Sequence, residues 1–158
     1  MARITAWRVA DPEFAKTAEE MMSGEGAFLY GGRWNSKGTH MVYLGSSLAL
    51  AAMELLVHLG RSDVLMTFNK MPVHFDEALV MELDLGSLPD NWADATMASS
   101  VMETGNTWVQ EGQSLLLKVP SVVIPGEFNY LFNPQHPDAD QVLFGDITPF
   151  RFDPRLLK

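Results

Sequence analysis

The sequence predicts a mixed α+β domain of short, mostly antiparallel strands with flanking helices, and three observations carry that prediction. Apolar residues make up 47% of the 158 positions and charged residues 20%, a balance that supports a packed core. Proline and glycine are scattered rather than pooled into a linker, and no repeat or low-complexity block interrupts the chain, so residues 1–158 are expected to form one domain. Strand-like and helix-like segments do not follow each other in the regular alternation that builds a parallel sheet.

The elements follow in chain order. Thr5 to Val9 reads as a short strand, and Asp11-Pro12 then offers an N-cap with proline at the first helical position, predicting a helix that runs to Met22 and ends at Ser23-Gly24. Between Ser23 and His40 five glycines are interspersed with Phe28, Tyr30, Arg33, Trp34 and Asn35, too glycine-rich for an element and too aromatic for a solvated linker; a structured loop is expected. His40 to Leu44 is a strand, and Ser46-Ser47 cap a helix from Leu48 to Leu59 that Gly60 closes. Glu77 to Leu85 alternates in the strand manner, Met97 to Glu111 reads as a helix stopped by Gly112, and Ser114 to Val119 as a buried strand. Gln141 to Phe152 supplies one or two more strands. Arg61 to Asp76 carries no recognisable signal.

Charge and composition exclude several function classes. Twenty acidic against eleven basic side chains leave a net charge of −9, which disfavours direct nucleic-acid binding, because affinity for phosphate backbones comes from Lys and Arg releasing counterions. The absence of cysteine removes disulfides, thiolate catalysis and Cys-based metal sites and suits a reducing compartment. The first residues lack the apolar stretch of a signal peptide, and nothing approaches a membrane span, so a cytoplasmic protein is expected.

Three segments could carry chemistry. In Gly31-Gly32-Arg33-Trp34-Asn35, an arginine after two glycines can clamp a phosphate bidentately where the backbone approaches a ligand; an ordinary turn with a surface arginine is the alternative. Ten of the twelve residues from Leu48 to Leu59 are apolar, and the exceptions, Glu54 and His58, share one helical face. Glu54 there is a general acid or base, a fixed negative charge for a cationic transition state, half of a structural ion pair, or part of a helix edge facing water. A metal is not expected: His40, His74 and His136 lie in unrelated segments without HExxH spacing, and His58 reads as a packed core histidine. Ser121 follows a buried strand and Pro120, but GxSxG is absent, so it reads as a hydrogen-bonding group rather than a nucleophile. Asn129 and Asn133 read as turn caps. Tyr43, between Arg33 and Glu54 in sequence, could present both a ring and a hydroxyl.

These segments together resemble the RES domain family, named for an arginine, a glutamate and a serine. The matching stretches are Trp7-Arg8-Val9, Tyr30 to Thr39, Val42-Tyr43-Leu44 through Glu54 to Leu59, and Pro120-Ser121 through Asn129, Asn133-Pro134 and His136-Pro137. The resemblance implies a fold similar to ADP-ribosyltransferases and the toxin role of a toxin–antitoxin pair, degrading NAD+ by cleaving the nicotinamide–ribose bond as a glycohydrolase or phosphorylase, or else ADP-ribosylating a protein. It implies Glu54, Tyr43 and Ser121 as catalytic residues, with Arg33, Arg8, Asn129, Tyr43 and Ser121 binding NAD. NAD is then the substrate, with no other cofactor, and the implied partner is an Xre-type helix-turn-helix antitoxin; a homo-oligomer stays open. A non-catalytic nucleotide-binding or partner-binding module and a metal-dependent hydrolase are the competing classes.

Overall fold

The chain builds one curled, mixed sheet from strands distant in sequence, as a computed structural model describing residues 2–94 and 99–157 shows. Its longest pairing joins β1 (Arg3–Ala10) to β3 (Phe68–Asp76), antiparallel from Arg3 opposite Asp76 to Ala10 opposite Asn69. On the other side of β1 lies β2 (Val42–Gly45), with Trp7 opposite Gly45. The sheet continues through β6 (Phe128–Phe132), β5 (Leu116–Pro120) and β4 (Val80–Glu82), and among the described residues only β4 and β5 run parallel. Beyond β3, two short strands, β7 (Leu143–Phe144) and β8 (Thr148–Phe150), pair with its two halves.

Strand alternation sorts the core onto two faces. One face carries Ala6, Ala10, Val42, Leu44, Met71, Val73, Tyr130 and Phe132, packed with Met21 and Met22. The other carries Val9 under the helix α3 (Leu48–Leu56) and Leu117, Val119 and Leu131 beside Trp34 and Trp108, the latter from the helix α4 (Ser99–Glu111). Gly45 permits the close seat of α3. A Cβ there would stand 2.5 Å from the Ala51 backbone nitrogen, so any side chain would push the helix off the sheet.

Several expectations need correction. The helix expected from Pro12 to Met22 breaks into a 3-10 turn, Pro12–Phe14, and a short helix, Ala18–Met21, each with its own cap: Asp11 accepts from the Glu13 N–H, and Thr17 from the Glu20 N–H. The break is held by β3, since Asn69 Nδ2 donates to the Ala15 carbonyl at 2.8 Å. The supposed loop before His40 contains a helix, Glu25–Tyr30, entered through Gly24 at a positive φ of 74°. Helix α3 stops at Leu56; His58 bonds only back to Leu55 and is exposed, so it is neither helical nor in the core. Of Glu77 to Leu85 only β4 is strand, because the Asp76 and Asp84 carboxylates cap 3-10 turns on either side. The silent stretch before Asp76 holds β3, and Phe128 to Phe132, where Asn129 reads as a turn cap, is β6. The expected start of α4 at Met97 lies outside the described residues. Among these, no helix is long and apolar enough to cross a membrane.

Candidate active site

Glu54 stands in the second turn of α3, which Ser47 starts by accepting from the Leu50 N–H at 3.1 Å. Its carboxylate reaches the far end of the β5–β6 hairpin. Oε1 accepts from the Ser121 hydroxyl at 3.3 Å and Oε2 from Asn129 Nδ2 at 3.0 Å. The partners are buried, Ser121 at 3% and Asn129 at 8% exposure, while Glu54 itself is only half-buried. Among the described residues no Lys, Arg or His forms an ion pair with Glu54. A carboxylate oriented by neutral donors alone keeps its charge available to a positively charged visitor.

The hairpin fixes both donors. Ser121 follows Pro120, its N–H bonds to the Glu127 carbonyl at 2.8 Å, and its Oγ accepts from the Ile124 N–H at 3.0 Å. With its one proton directed at Glu54, the hydroxyl orients the carboxylate. Asn129 sits in β6 opposite Gly45 and Val119 rather than capping a turn; Asn133 does cap one, accepting from the Gln135 N–H.

Tyr43 connects this group to the arginine turn. On β2 it lies opposite Leu131, two residues from Asn129, so the two side chains share a sheet face as diagonal neighbours. The phenol donates to Asn35 Oδ1 at 2.6 Å and accepts from the Trp34 N–H at 3.0 Å. Burial pushes its pKa above the ordinary tyrosine value, against the opposing Trp34 N–H and Arg33 charge, so it stays neutral. Gly32 makes room for it: a Cβ there would meet the Tyr43 hydroxyl at 2.5 Å. Asn35, to which the sequence motif assigns no role, is fully buried, reaches the Ala27, Ser36 and Thr39 carbonyls through Nδ2, and anchors the turn.

Arg33 projects from that turn and donates from Nη1 to the carbonyls of Trp92 (3.1 Å) and Asp94 (3.0 Å). No sequence signal marks those carbonyls. Trp92 and Ala93 face Ser121, Val122 and Phe128 across an open cleft of about 250 Å³. Arg33 thus braces one wall and Ser121 belongs to the other.

Arg8 stands apart. It shares the β1 face of Ala6 and Ala10, opposite Trp7 and Val9 against α3, and donates to the Met21 carbonyl at 3.1 Å. Burial lowers its pKa to about 10, leaving it charged at neutral pH. Strand alternation, which assigns Arg8 to the face of Ala6, was the signal that could have separated it from the site. Lys37 is exposed, and among the described residues no group of three His, Asp or Glu could hold a metal.

The RES domain family matches residues 5–153. The chain belongs to the RES domain family. This RES domain is 39% identical over 136 residues to a Toxin Res of Yersinia enterocolitica, covering 85% of this chain and 89% of the relative. It is 35% identical over 156 residues, 96% of each chain, to the Prs ADP-ribosylating toxin of a Sphingobium strain. Its fold is similar to that of a chain in the MbcT–MbcA toxin–antitoxin complex of M. tuberculosis, with a TM-score of 0.75 at 17% identity over 99% of this chain and 87% of the other.

Proposed function

We propose that this RES domain is the toxin of a toxin–antitoxin pair and that it destroys NAD by breaking the bond between nicotinamide and ribose. The observation that carries the reading is the Glu54 carboxylate, free of any cationic partner among the described residues and aimed by Ser121 and Asn129. In the reaction the C1–N bond breaks, its electron pair passes to the pyridinium nitrogen, and neutral nicotinamide leaves a ribosyl oxocarbenium ion. Glu54 stabilises that cation by charge and by accepting from the 2′-hydroxyl. Water or phosphate then bonds to C1 and yields ADP-ribose or its 1″-phosphate, releasing a proton in the case of water. Arg33 contributes Nη2 and Nε, which have no partner among the described residues, to the pyrophosphate while Nη1 keeps its hold on the cleft wall. Tyr43 presents its ring and fixes the arginine turn through its hydroxyl. No cofactor takes part. The names of the curated relatives and the fold shared with a toxin–antitoxin complex support the toxin role, and an Xre-type antitoxin is the proposed partner.

Incubating the purified protein with NAD and following nicotinamide release tests this. We expect consumption that EDTA does not change; a folded wild-type protein that leaves NAD intact overturns the reading. Protein ADP-ribosylation is the second reading, favoured by the name of the Sphingobium relative. Label from NAD gathering on one host protein, with little free ADP-ribose or its phosphate, decides for it.

A further inference from the structure

Asn129 has a second polar atom that none of the described residues uses. Its Nδ2 donates to Glu54, while its Oδ1, on a side chain more than nine-tenths buried, has no hydrogen-bond partner among the described residues. The amide cannot turn round to relieve this, because Oδ1 would then confront the carboxylate, acceptor against acceptor. Nor can its cross-strand neighbours help. Asn129 stands opposite Gly45 and Val119, and neither side chain can donate. A buried acceptor left empty is uncommon in folded proteins, and where one adjoins a reactive carboxylate its natural partner arrives with the ligand.

We infer that Asn129 Oδ1 accepts a hydrogen bond from an O–H or N–H of the substrate beside the carbon that Glu54 serves, so that one amide both aims the carboxylate and reads the substrate. The inference rests on the NAD reading above. With the 2′-hydroxyl proton given to Glu54, the donors on NAD within reach of that carbon are the 3′-hydroxyl of the nicotinamide ribose and the carboxamide N–H2 of nicotinamide. Both offer the same chemistry, a neutral donor, and the geometry of a single amide allows one of them to be held while Nδ2 stays on Glu54.

Substrate analogues combined with variants separate reading from aiming. kcat/KM is measured for NAD, for 3-acetylpyridine adenine dinucleotide, which keeps the carbonyl but lacks the N–H2, and for NAD lacking the 3′-hydroxyl of the nicotinamide ribose. Each is assayed with wild type, Asn129→Ala and Asn129→Ser, with folding checked by circular dichroism. One analogue should lose roughly 10- to 100-fold against NAD in the wild type yet less than about 3-fold in the variants, because alanine has no acceptor and the shorter serine hydroxyl does not reach the place of Oδ1. Which analogue behaves so identifies the donor. Equal losses in wild type and variants mean that Asn129 only aims Glu54, and the inference falls. It falls equally, without any variant, if the wild type treats every analogue within about 3-fold of NAD. A wild type that cleaves no NAD overturns the functional reading itself, and this inference with it.

Discussion

Glu54 is replaceable in shape but not in charge. In Glu54→Gln the new amide can keep its oxygen on Asn129 Nδ2 and turn its N–H2 to Ser121 Oγ, since a hydroxyl accepts as readily as it donates. Unfolding free energy should therefore change by no more than about 1 kcal/mol, while NAD turnover falls on the order of 100- to 1000-fold. Calorimetry beside a nicotinamide-release assay checks both, and a folded variant with near-normal turnover removes Glu54 from the chemistry. Arg33→Lys is expected to raise KM by roughly tenfold or more with a smaller effect on kcat, because an ammonium cannot bridge the Trp92 and Asp94 carbonyls and still offer a fork to a pyrophosphate. An unchanged KM with a collapsed kcat would move Arg33 to the reacting centre. Tyr43 gives a pH signature. Its unfolded phenol ionises near 10 and its folded one at higher pH, so the folded state holds the proton longer; the resulting stability is complete below about pH 10 and declines as pH rises past it. Tyr43→Phe should cost about 1–3 kcal/mol at neutral pH by stripping Asn35 Oδ1 and the Trp34 N–H of their partner. It should also flatten part of the alkaline decline, the remainder belonging to Tyr130, whose pKa burial also raises. Denaturant melts across alkaline pH measure both.

Helix α3 is the element on which the site depends, and its seat is set by one atom's absence. Gly45→Ala drives a methyl group into the Ala51 backbone, so a loss of about 1–3 kcal/mol is expected, and with it a displaced Glu54 and reduced NAD turnover at temperatures where the variant is still folded. Unaltered melting and turnover would show that the helix tolerates a wider seat. The helix itself was legible from its serine cap and apolar run, as were β1, β2 and β5 from theirs. β3 was not, because Pro72 interrupts Phe68–Asp76. The proline is tolerated in the gap between the partners of Phe68 to Lys70 and of Val73-His74, where its carbonyl still accepts from the Gly145 N–H. β6 was hidden by Asn129, a turn-forming residue placed in a strand for the sake of Glu54. His58 misled because the apolar run outlasts the helix by a turn. The site residues Glu54, Ser121 and Asn129 were named from sequence, and the family resemblance offers Ser121 as a group that orients the substrate or Glu54; the Glu54–Asn129 contact was not readable there, since it depends on the pairing of β2 with β6.

At the scale of the molecule, a chain of net charge −9 is poorly suited to hold DNA. Growth arrest on expression, relieved by the adjacent reading frame, is the expected result, and failure of any neighbouring gene to rescue growth counts against the toxin role. The distribution of the site along the chain has its own effect on timing. Glu54 is made first, and its partners Ser121 and Asn129 follow 67 and 75 residues later. At about 5–20 residues per second, the glutamate waits roughly 4–15 seconds on the ribosome before the hairpin that aims it exists. On the proposed reading, a nascent chain that stops short of Asn129 carries an unaimed carboxylate and cannot yet cleave NAD, so activity is timed by the hairpin rather than by the glutamate.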